Sequence, residues 1–154
     1  MITLYVPQYR DLWFRQALLA DEATMAYNHA WGGTLPFPEE AWADWYAHWI
    51  VHTDGRRLYR YVCDEHGTFV GEIAYHFDKA LGGYVADVII HARYRGLGLG
   101  GQALDALCEQ AIARGITVLY DDIAIDNPAV GLFQSRGFVE QYRTADKIIL
   151  QKVL

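Results

Sequence analysis

The sequence predicts one α+β domain whose sheet is mostly antiparallel and contains a single β-α-β unit. At 154 residues the chain suits one domain, and its 53% hydrophobic residues supply a core without metals or disulfides. Apolar periodicity changes from helical to alternating after Asp54-Gly55, which marks the start of a sheet. Helical periodicity returns between two apolar strand candidates, at residues 84–90 and 116–125, and this order indicates the β-α-β unit.

The first third of the chain predicts two helices separated by a loop. Residues 11–19 carry apolar side chains near helical spacing, and Gly32-Gly33 with Pro36 then marks a loop. A second helix begins at Pro38, where acidic residues follow in the first turn. Its aromatic residues share one face, which is typical of a core: Trp42, Trp45, Tyr46 and Trp49.

The remaining elements follow from alternation, helical spacing and turn residues. Residues 58–63 and 69–77 form a hairpin around the turn at 64–67, and Gly82-Gly83 leads into the strand 84–90. An apolar helical stripe over residues 103–112 stops at Gly115. The strand 116–125, a short helix over 128–135 and two closing strands at 138–142 and 147–153 complete the domain.

Composition excludes several functional classes. The 13 Lys and Arg against 19 Asp and Glu leave a net charge of −6, which disfavours nucleic-acid binding and favours cationic small molecules as partners. No apolar run is long enough to span a membrane, and no secretory leader opens the sequence, so no membrane partner is expected. Cys63 and Cys108 form no metal-binding or disulfide pattern. We therefore expect a cytoplasmic protein without a bound metal.

A glycine-rich stretch between the strand 84–90 and the following helix carries the clearest functional signal. Alternate glycines expose backbone N–H groups at a helix N-terminus, an arrangement that suits a diphosphate. Gly96, Gly98 and Gly101 match the dinucleotide pattern G-x-G-x-x-G, with Asp121 following 20 residues later. However, the basic stretch 91–95 separates the strand from Gly96, and the 53 residues after Gly101 are too few for a doubly wound sheet.

Two motifs give the chain a specific resemblance. Arg95-x-x-Gly98-x-Gly100 resembles the acetyl-CoA pyrophosphate loop of the GNAT superfamily of N-acetyltransferases, and residues 126–138 resemble its second CoA motif. The resemblance implies a single GNAT domain over residues 1–154, with a mixed sheet splayed at the cofactor site and flanked by helices. It implies acetyl-CoA as co-substrate and direct transfer of the acetyl group to a primary amine. It leaves the oligomeric state open between a monomer and a homodimer.

The resemblance also assigns cofactor-binding residues. The backbone of the strand would bond the pantetheine arm, and the loop would hold the diphosphate: Val88, Ile89, Ile90, Arg95, Gly96, Leu97, Gly98, Leu99, Gly100 and Gly101. Asn127 suits a contact with CoA better than Asp126, because an acid fits poorly beside phosphate. Phe133 stands where many members have the Tyr that protonates the leaving thiolate. A CoA thiol is a reasonable leaving group, so Tyr94, Tyr120 or water would suffice in its place; alternatively, the chain is a CoA-binding regulatory module without turnover.

Four acidic residues are candidates for the chemistry of the acceptor amine. Glu72 and Asp87 lie within apolar strands, and either would serve as a general base acting through water. Strand alternation leaves open whether each faces the site or solvent. Asp121 and Asp122 occupy both faces of the next strand, so one of them points inward to a cation or an arginine. Asp122 is our candidate for contact with the acceptor.

The acceptor side of the resembled fold is formed by the first two helices and the segment between them. Here that segment is residues 27–37, which combines aromatic side chains with glycines. We expect Tyr27, His29 and Trp31 to contact the acceptor, with the alternative that Trp31 fills the core. No feature of the sequence identifies the amine.

Overall fold

The computed structural model describes all 154 residues and contains a seven-stranded mixed sheet with helices on both faces. The strands follow the order β1-β2-β3-β4-β5-β7-β6, and every neighbouring pair is antiparallel except β4 and β5. Their bounds are β1 (Thr3–Tyr5), β2 (Arg57–Cys63), β3 (Phe69–Asp78), β4 (Gly83–Ile90), β5 (Val118–Ala124), β6 (Val139–Arg143) and β7 (Lys147–Val153). The predicted fold class is therefore confirmed.

Five α-helices cover the sheet: α1 (Leu12–Ala20), α2 (Glu22–Met25), α3 (Trp42–Tyr46), α4 (Leu99–Ala113) and α5 (Val130–Ser135). The larger hydrophobic core lies between the sheet and α4 with α5, and we call this side the α4 face. Two smaller clusters join α1, α3 and the opposite side of the sheet, which we call the α1 face. None of the helices combines the length and apolar character that crossing a bilayer requires.

Helix α4 forms the predicted crossover between the parallel strands β4 and β5. It begins after Gly98, whose positive φ of 79° suits glycine, and it ends before Gly115, whose φ is 78°. The apolar stripe predicted from spacing is buried against the sheet: Ala103, Leu104, Leu107, Cys108 and Ala111. This packing fixes the helix N-terminus beside the end of β4.

The N-terminal third differs from the prediction in detail. β1 and α2 have no counterpart among the predicted elements, and residues 26–31, just before Gly32-Gly33, form a 3₁₀-helix. The second predicted helix is divided into a 3₁₀ turn at Glu39–Ala41, α3 and a wider π turn at Ala47–Val51. Of its aromatic face only Trp42 is buried in the core, where its Nε1–H donates to the carbonyl of Phe37 at 3.0 Å.

Strands β4 and β5 diverge soon after they begin, as the resemblance implied. They pair only at Tyr84 with Leu119 and at Val85 with Tyr120. Beyond these pairs β4 continues to Ile90 and β5 to Ala124, and no strand lies between them. The sheet therefore opens into a wedge between the two strands.

Candidate active site

The wedge between β4 and β5 leads into a cavity of about 720 Å³. The N–H of His91 donates to the carbonyl of Val70 at 2.8 Å, which places odd-numbered residues of β4 in hydrogen bonds with β3. The backbone groups of the even-numbered residues Ala86, Val88 and Ile90 consequently point into the wedge. An extended ligand arm can pair with this strand edge.

The glycine loop closes one end of the cavity. Gly96 and Gly98 have φ values of 81° and 79°, and the N–H groups in the first turn of α4 have no intrahelical acceptor. A Cβ atom at Gly100 would lie 3.2 Å from Leu132 Cδ2, so the helix start packs tightly against α5. Uncommitted N–H groups and the positive end of the helix dipole together favour a phosphate at this end.

The side chain of Arg95 contacts backbone carbonyls, whereas the resemblance implied a contact with the diphosphate. Its guanidinium donates to backbone carbonyls of Ile90 at 3.0 Å, Thr24 at 2.7 Å and Ala23 at 3.5 Å. The side chain therefore braces the end of β4 against α2, although it also lines the cavity. Leu97 is 67% exposed and does not line the cavity.

The other predicted cofactor residues line the cavity together: Val88, Ile89, Ile90, Gly96, Gly98, Leu99, Gly100, Gly101, Asn127 and Phe133. Asn127 is buried, and its Oδ1 accepts the N–H of Ala129 at 2.9 Å. Asp126 instead points outward, where its Oδ2 lies 2.9 Å from Nε2 of His29. This placement agrees with the preference for Asn127 as the contact with the cofactor.

Asp87 lies on the α1 face and lines the cavity. Its carboxylate is 3.9 Å from Nδ1 of His76, and 55% of its side-chain surface is open to the cavity. The surrounding protein desolvates the carboxylate and raises its pKa to about 6, with the charge of Glu72 adding to the shift and His76 opposing it. At neutral pH Asp87 is mostly ionised yet more basic than an ordinary aspartate, which suits a general base.

Glu72 also lies on the α1 face, but it is committed to other groups. Arg15 Nη1 donates to its two carboxylate oxygens at 2.8 and 3.1 Å, and the hydroxyl of Tyr59 donates to the same group. Burial, followed by the charge of Glu72, raises the pKa of Tyr59 well above its usual value, so the hydroxyl retains its proton. The geometry therefore favours Asp87 over Glu72 as the base.

Arg15 is held by rings as well as by Glu72. Its guanidinium carbon lies 4.5 Å from the ring centroid of Trp45, 5.0 Å from that of Phe37 and 5.3 Å from that of Tyr59. The side chain is 17% exposed, and its Nε has no hydrogen-bond partner. This buried pair forms the wall of the cavity on the α1 face.

Asp121 and Asp122 both line the cavity from β5, on opposite faces of the sheet. Asp122 shares the α1 face with Asp87, and its Oδ2 accepts from Lys147 Nζ at 3.1 Å. Its Oδ1 is buried without a partner. Asp121 lies on the α4 face and is 5% exposed. Both aspartates therefore line the cavity, whereas the sequence predicted that only one of them points inward.

The predicted acceptor residues divide into two groups. Tyr27 and Trp31 line the cavity, whereas His29 does not and instead pairs with Asp126 at its rim. Trp31 is 50% exposed, so it does not fill the core. Two aromatic residues of the second helical segment, Trp45 and Trp49, complete this wall.

A family model described as the acetyltransferase (GNAT) family matches residues 17–138. The chain belongs to this family. It is accordingly an acyl-CoA N-acyltransferase that uses acetyl-CoA as co-substrate. No curated protein matches the sequence significantly.

Solved structures share the fold of this GNAT domain at low sequence identity. A spermidine N-acetyltransferase from Vibrio cholerae, in complex with CoA and spermine, has a TM-score of 0.81 and 21% identity over 99% of this chain and 95% of that chain. A ribosomal-protein-alanine N-acetyltransferase from Brucella melitensis has a TM-score of 0.74 and 24% identity over 100% of this chain and 99% of that chain. An N-acetyltransferase from Staphylococcus aureus has a TM-score of 0.76 and 18% identity over 99% of this chain and 98% of that chain.

Sequence reasoning missed several residues that shape the acetyltransferase cavity. Arg15 was not singled out, because its partner Glu72 is 57 residues away and no local pattern joins them. Tyr59 was assigned only to a strand. The aromatic spacing of the second helix was visible, but it could not distinguish a core face from a cavity wall. Only the packing of α1 and α3 against β2 and β3 brings these groups together.

The Arg15–Glu72 pair gives a testable expectation for stability. Arg15→Met should lower the free energy of unfolding by roughly 3–5 kcal/mol, because it leaves Glu72 charged and unpaired in a buried site. The double variant Arg15→Met/Glu72→Leu should recover much of this loss. Urea unfolding measures both, with Arg143→Met, which breaks the exposed pair with Glu140, as the control. Equal effects of the buried and exposed substitutions would contradict the assignment.

Proposed function

We propose that the chain transfers the acetyl group of acetyl-CoA to the primary amine of a small molecule by direct attack. One observation carries this proposal: the wedge connects the glycine loop, at one end of a single cavity, with Asp87 and an aromatic wall at the other. The loop suits the diphosphate, and Asp87 suits proton removal from an amine. Both halves of a transfer reaction therefore meet in one cavity.

Three groups of atoms support acetyl-CoA in this cavity. The free N–H groups of the first turn of α4 would bind the diphosphate, and Gly100 lets this turn pack closely against α5. The backbone of Ala86 and Val88 would hydrogen-bond the pantetheine arm along the edge of β4. Asn127 would add a polar contact from the opposite wall. When bound, the thioester supplies an acetyl carbonyl that is reactive toward amines.

The residues of the chain then perform two tasks in the transfer. Asp87 accepts the proton of the amine, directly or through water, as the nitrogen attacks. Backbone N–H groups of β4 that point into the wedge stabilise the negative charge that develops on the carbonyl oxygen. These roles require only that the amine arrive from the α1 face, where Asp87 lies.

The α1 face of the cavity supports a cationic acceptor with an apolar or aromatic body. Asp87 provides negative charge at the end of the wedge, whereas Glu72 is paired with Arg15 and Asp122 with Lys147. Tyr27, Trp31 and Trp49 form the remaining wall, and such rings bind both apolar surfaces and cations. One acidic end and one aromatic wall favour a monoamine over a long polyamine, although the Vibrio cholerae neighbour binds spermine.

An amine panel tests this proposal. With acetyl-CoA, an aromatic monoamine, spermidine, an amino acid and an alanine-terminated peptide are compared by thiol release. We expect the monoamine to react with the highest kcat/KM. If acetyl-CoA binds but no amine increases the release of thiol, the result would instead favour a regulatory module without turnover.

Trp49 provides a specific expectation within this panel. Trp49→Ala should raise KM for the preferred aromatic amine about 10- to 100-fold and change KM for acetyl-CoA little, because a lost apolar contact costs binding of the acceptor only. Trp13→Ala is the matched control, since Trp13 is 54% exposed on α1 and does not line the cavity. Equal KM values for the two variants would contradict the proposed acceptor wall.

A further inference from the structure

Asp121 is an acidic residue in a position that strand alternation assigns to the core. Its neighbours on the same face of β5, Leu119 and Ile123, belong to the main hydrophobic cluster. Asp121 is 5% exposed, lines the cavity and forms no side-chain hydrogen bond with another residue's side chain. Burying a carboxyl that has no cationic partner is costly, so the position requires an explanation beyond packing.

The position of Asp121 relative to Asp87 is informative. The last pair between β4 and β5 is Val85 with Tyr120, so Asp121 is the first residue of β5 beyond the point of divergence. Asp87 lies on the α1 face and Asp121 on the α4 face. The two carboxyl groups therefore flank the closed end of the wedge from opposite sides of the sheet.

A proton donor on the side of the leaving group assists the transfer, and few groups in this cavity qualify. Phe133 shares the α4 face and lines the cavity, but it has no hydroxyl. Tyr27 packs on the α1 face, where the amine enters. Tyr94 lies at the glycine-loop end, next to the start of α4. Asp121 is the remaining protonatable side chain at the closed end on the α4 face.

We propose that Asp121 is the general acid that protonates the sulfur of CoA. The inference rests on the proposed function. As the amine nitrogen bonds to the acetyl carbon, Asp87 takes one proton from nitrogen. The carbon–sulfur bond breaks, its electron pair moves to sulfur, and Asp121 donates its proton there to give the CoA thiol. Proton exchange through solvent then returns Asp87 to the carboxylate and Asp121 to the acid.

The electrostatic surroundings support these opposite roles. Burial raises the pKa of Asp121 well above its usual value, and the negative charges of Asp87 and Asp122 add to the shift, while the N–H of Asp122 opposes it. From β7 its register partner is the apolar Leu150, and α5 presents Phe133 to the same cavity. The same surroundings that hold the proton on Asp121 leave Asp87, which is more open to the cavity, the better proton acceptor of the two.

Kinetics of two variants test the role. Asp121→Asn should lower kcat roughly 100-fold with KM for acetyl-CoA unchanged, because it removes a general acid without removing volume. Adding Phe133→Tyr, which places a hydroxyl on the same face, should restore at least about one tenth of the lost kcat. An Asp121→Asn variant with wild-type kcat would overturn the proposal, and so would a loss that Phe133→Tyr does not restore.

A measurement on the resting protein separates this inference from the proposed function. Carbon NMR of labelled aspartate should show that Asp121 ionises at higher pH than Asp87, with the Asp121→Asn spectrum providing the assignment. Ionisation of Asp121 at an ordinary aspartate pKa would overturn its role as an acid. If no amine supports turnover by the wild type, the proposed function fails as well; if turnover is normal and Asp121→Asn matches it, only the general-acid role fails.

Discussion

Replacing Asp87 by Asn is expected to lower kcat by about 100- to 10,000-fold, the range typical for loss of a general base. The amide retains the size of the carboxylate but cannot accept the proton of the amine. KM for acetyl-CoA should change little, because the proposed cofactor contacts come from the backbone of β4 and the glycine loop. Steady-state thiol release at saturating amine measures the effect, and Asp44→Asn, an exposed substitution on α3, is the control.

The raised pKa of Asp87 predicts how kcat and stability change with pH. The proposed base is the Asp87 carboxylate, so wild-type kcat should rise as pH increases through about 6, and the pH profile of Asp87→Asn should lack that rise. The raised pKa also means that ionising Asp87 destabilises the fold, so wild-type stability should fall as pH rises from the ordinary aspartate pKa through about 6. Asp87→Asn should therefore be at least as stable as the wild type at neutral pH. A variant that is inactive because it is unfolded would contradict this account.

Replacing Gly98 by Glu is expected to weaken acetyl-CoA binding at least about 100-fold. Gly98 caps α4, and a carboxylate there would occupy the anion site and repel phosphate. The substitution also strains the backbone, because the φ of 79° costs a residue with a side chain roughly 1–2 kcal/mol. Calorimetric titration with acetyl-CoA measures the loss of binding directly.

Gly115→Glu is a matched control for the strain at Gly98. Gly115 has a φ of 78° and follows the other end of α4, and a Cβ atom added to either glycine would meet no other atom within 4 Å. The two variants should lose similar stability, yet only Gly98→Glu should lose acetyl-CoA binding. Equal acetyl-CoA affinity in both would place the diphosphate elsewhere.

The cofactor half of the site was predictable from sequence because its parts are contiguous. The strand β4, the glycine loop and the start of α4 follow one another, so their spacing alone brings the backbone groups together. The role of Arg95 was harder to predict. A cation beside glycines suggests phosphate, but folding brings α2 against the loop, and its carbonyls bind the guanidinium instead.

The acceptor half depends on contacts between distant segments. Alternation placed Glu72 and Asp87 in strands, but the difference between them arises from Arg15 on α1, which neutralises Glu72. Alternation also separated Asp121 from Asp122, whereas their shared exposure to the cavity follows from the divergence of β4 and β5. Alternation in the sequence shows which residues share a face of a strand. The packing of distant segments determines which other residues that face contacts.

The most direct test of the central claim is release of thiol from acetyl-CoA by the purified chain, with and without primary amines, followed by mass analysis of the amine. The account predicts release that depends on an amine and saturates with its concentration, together with a product heavier by one acetyl group. Binding of acetyl-CoA without amine-dependent release would contradict the assignment of this cavity as an amine acetylation site.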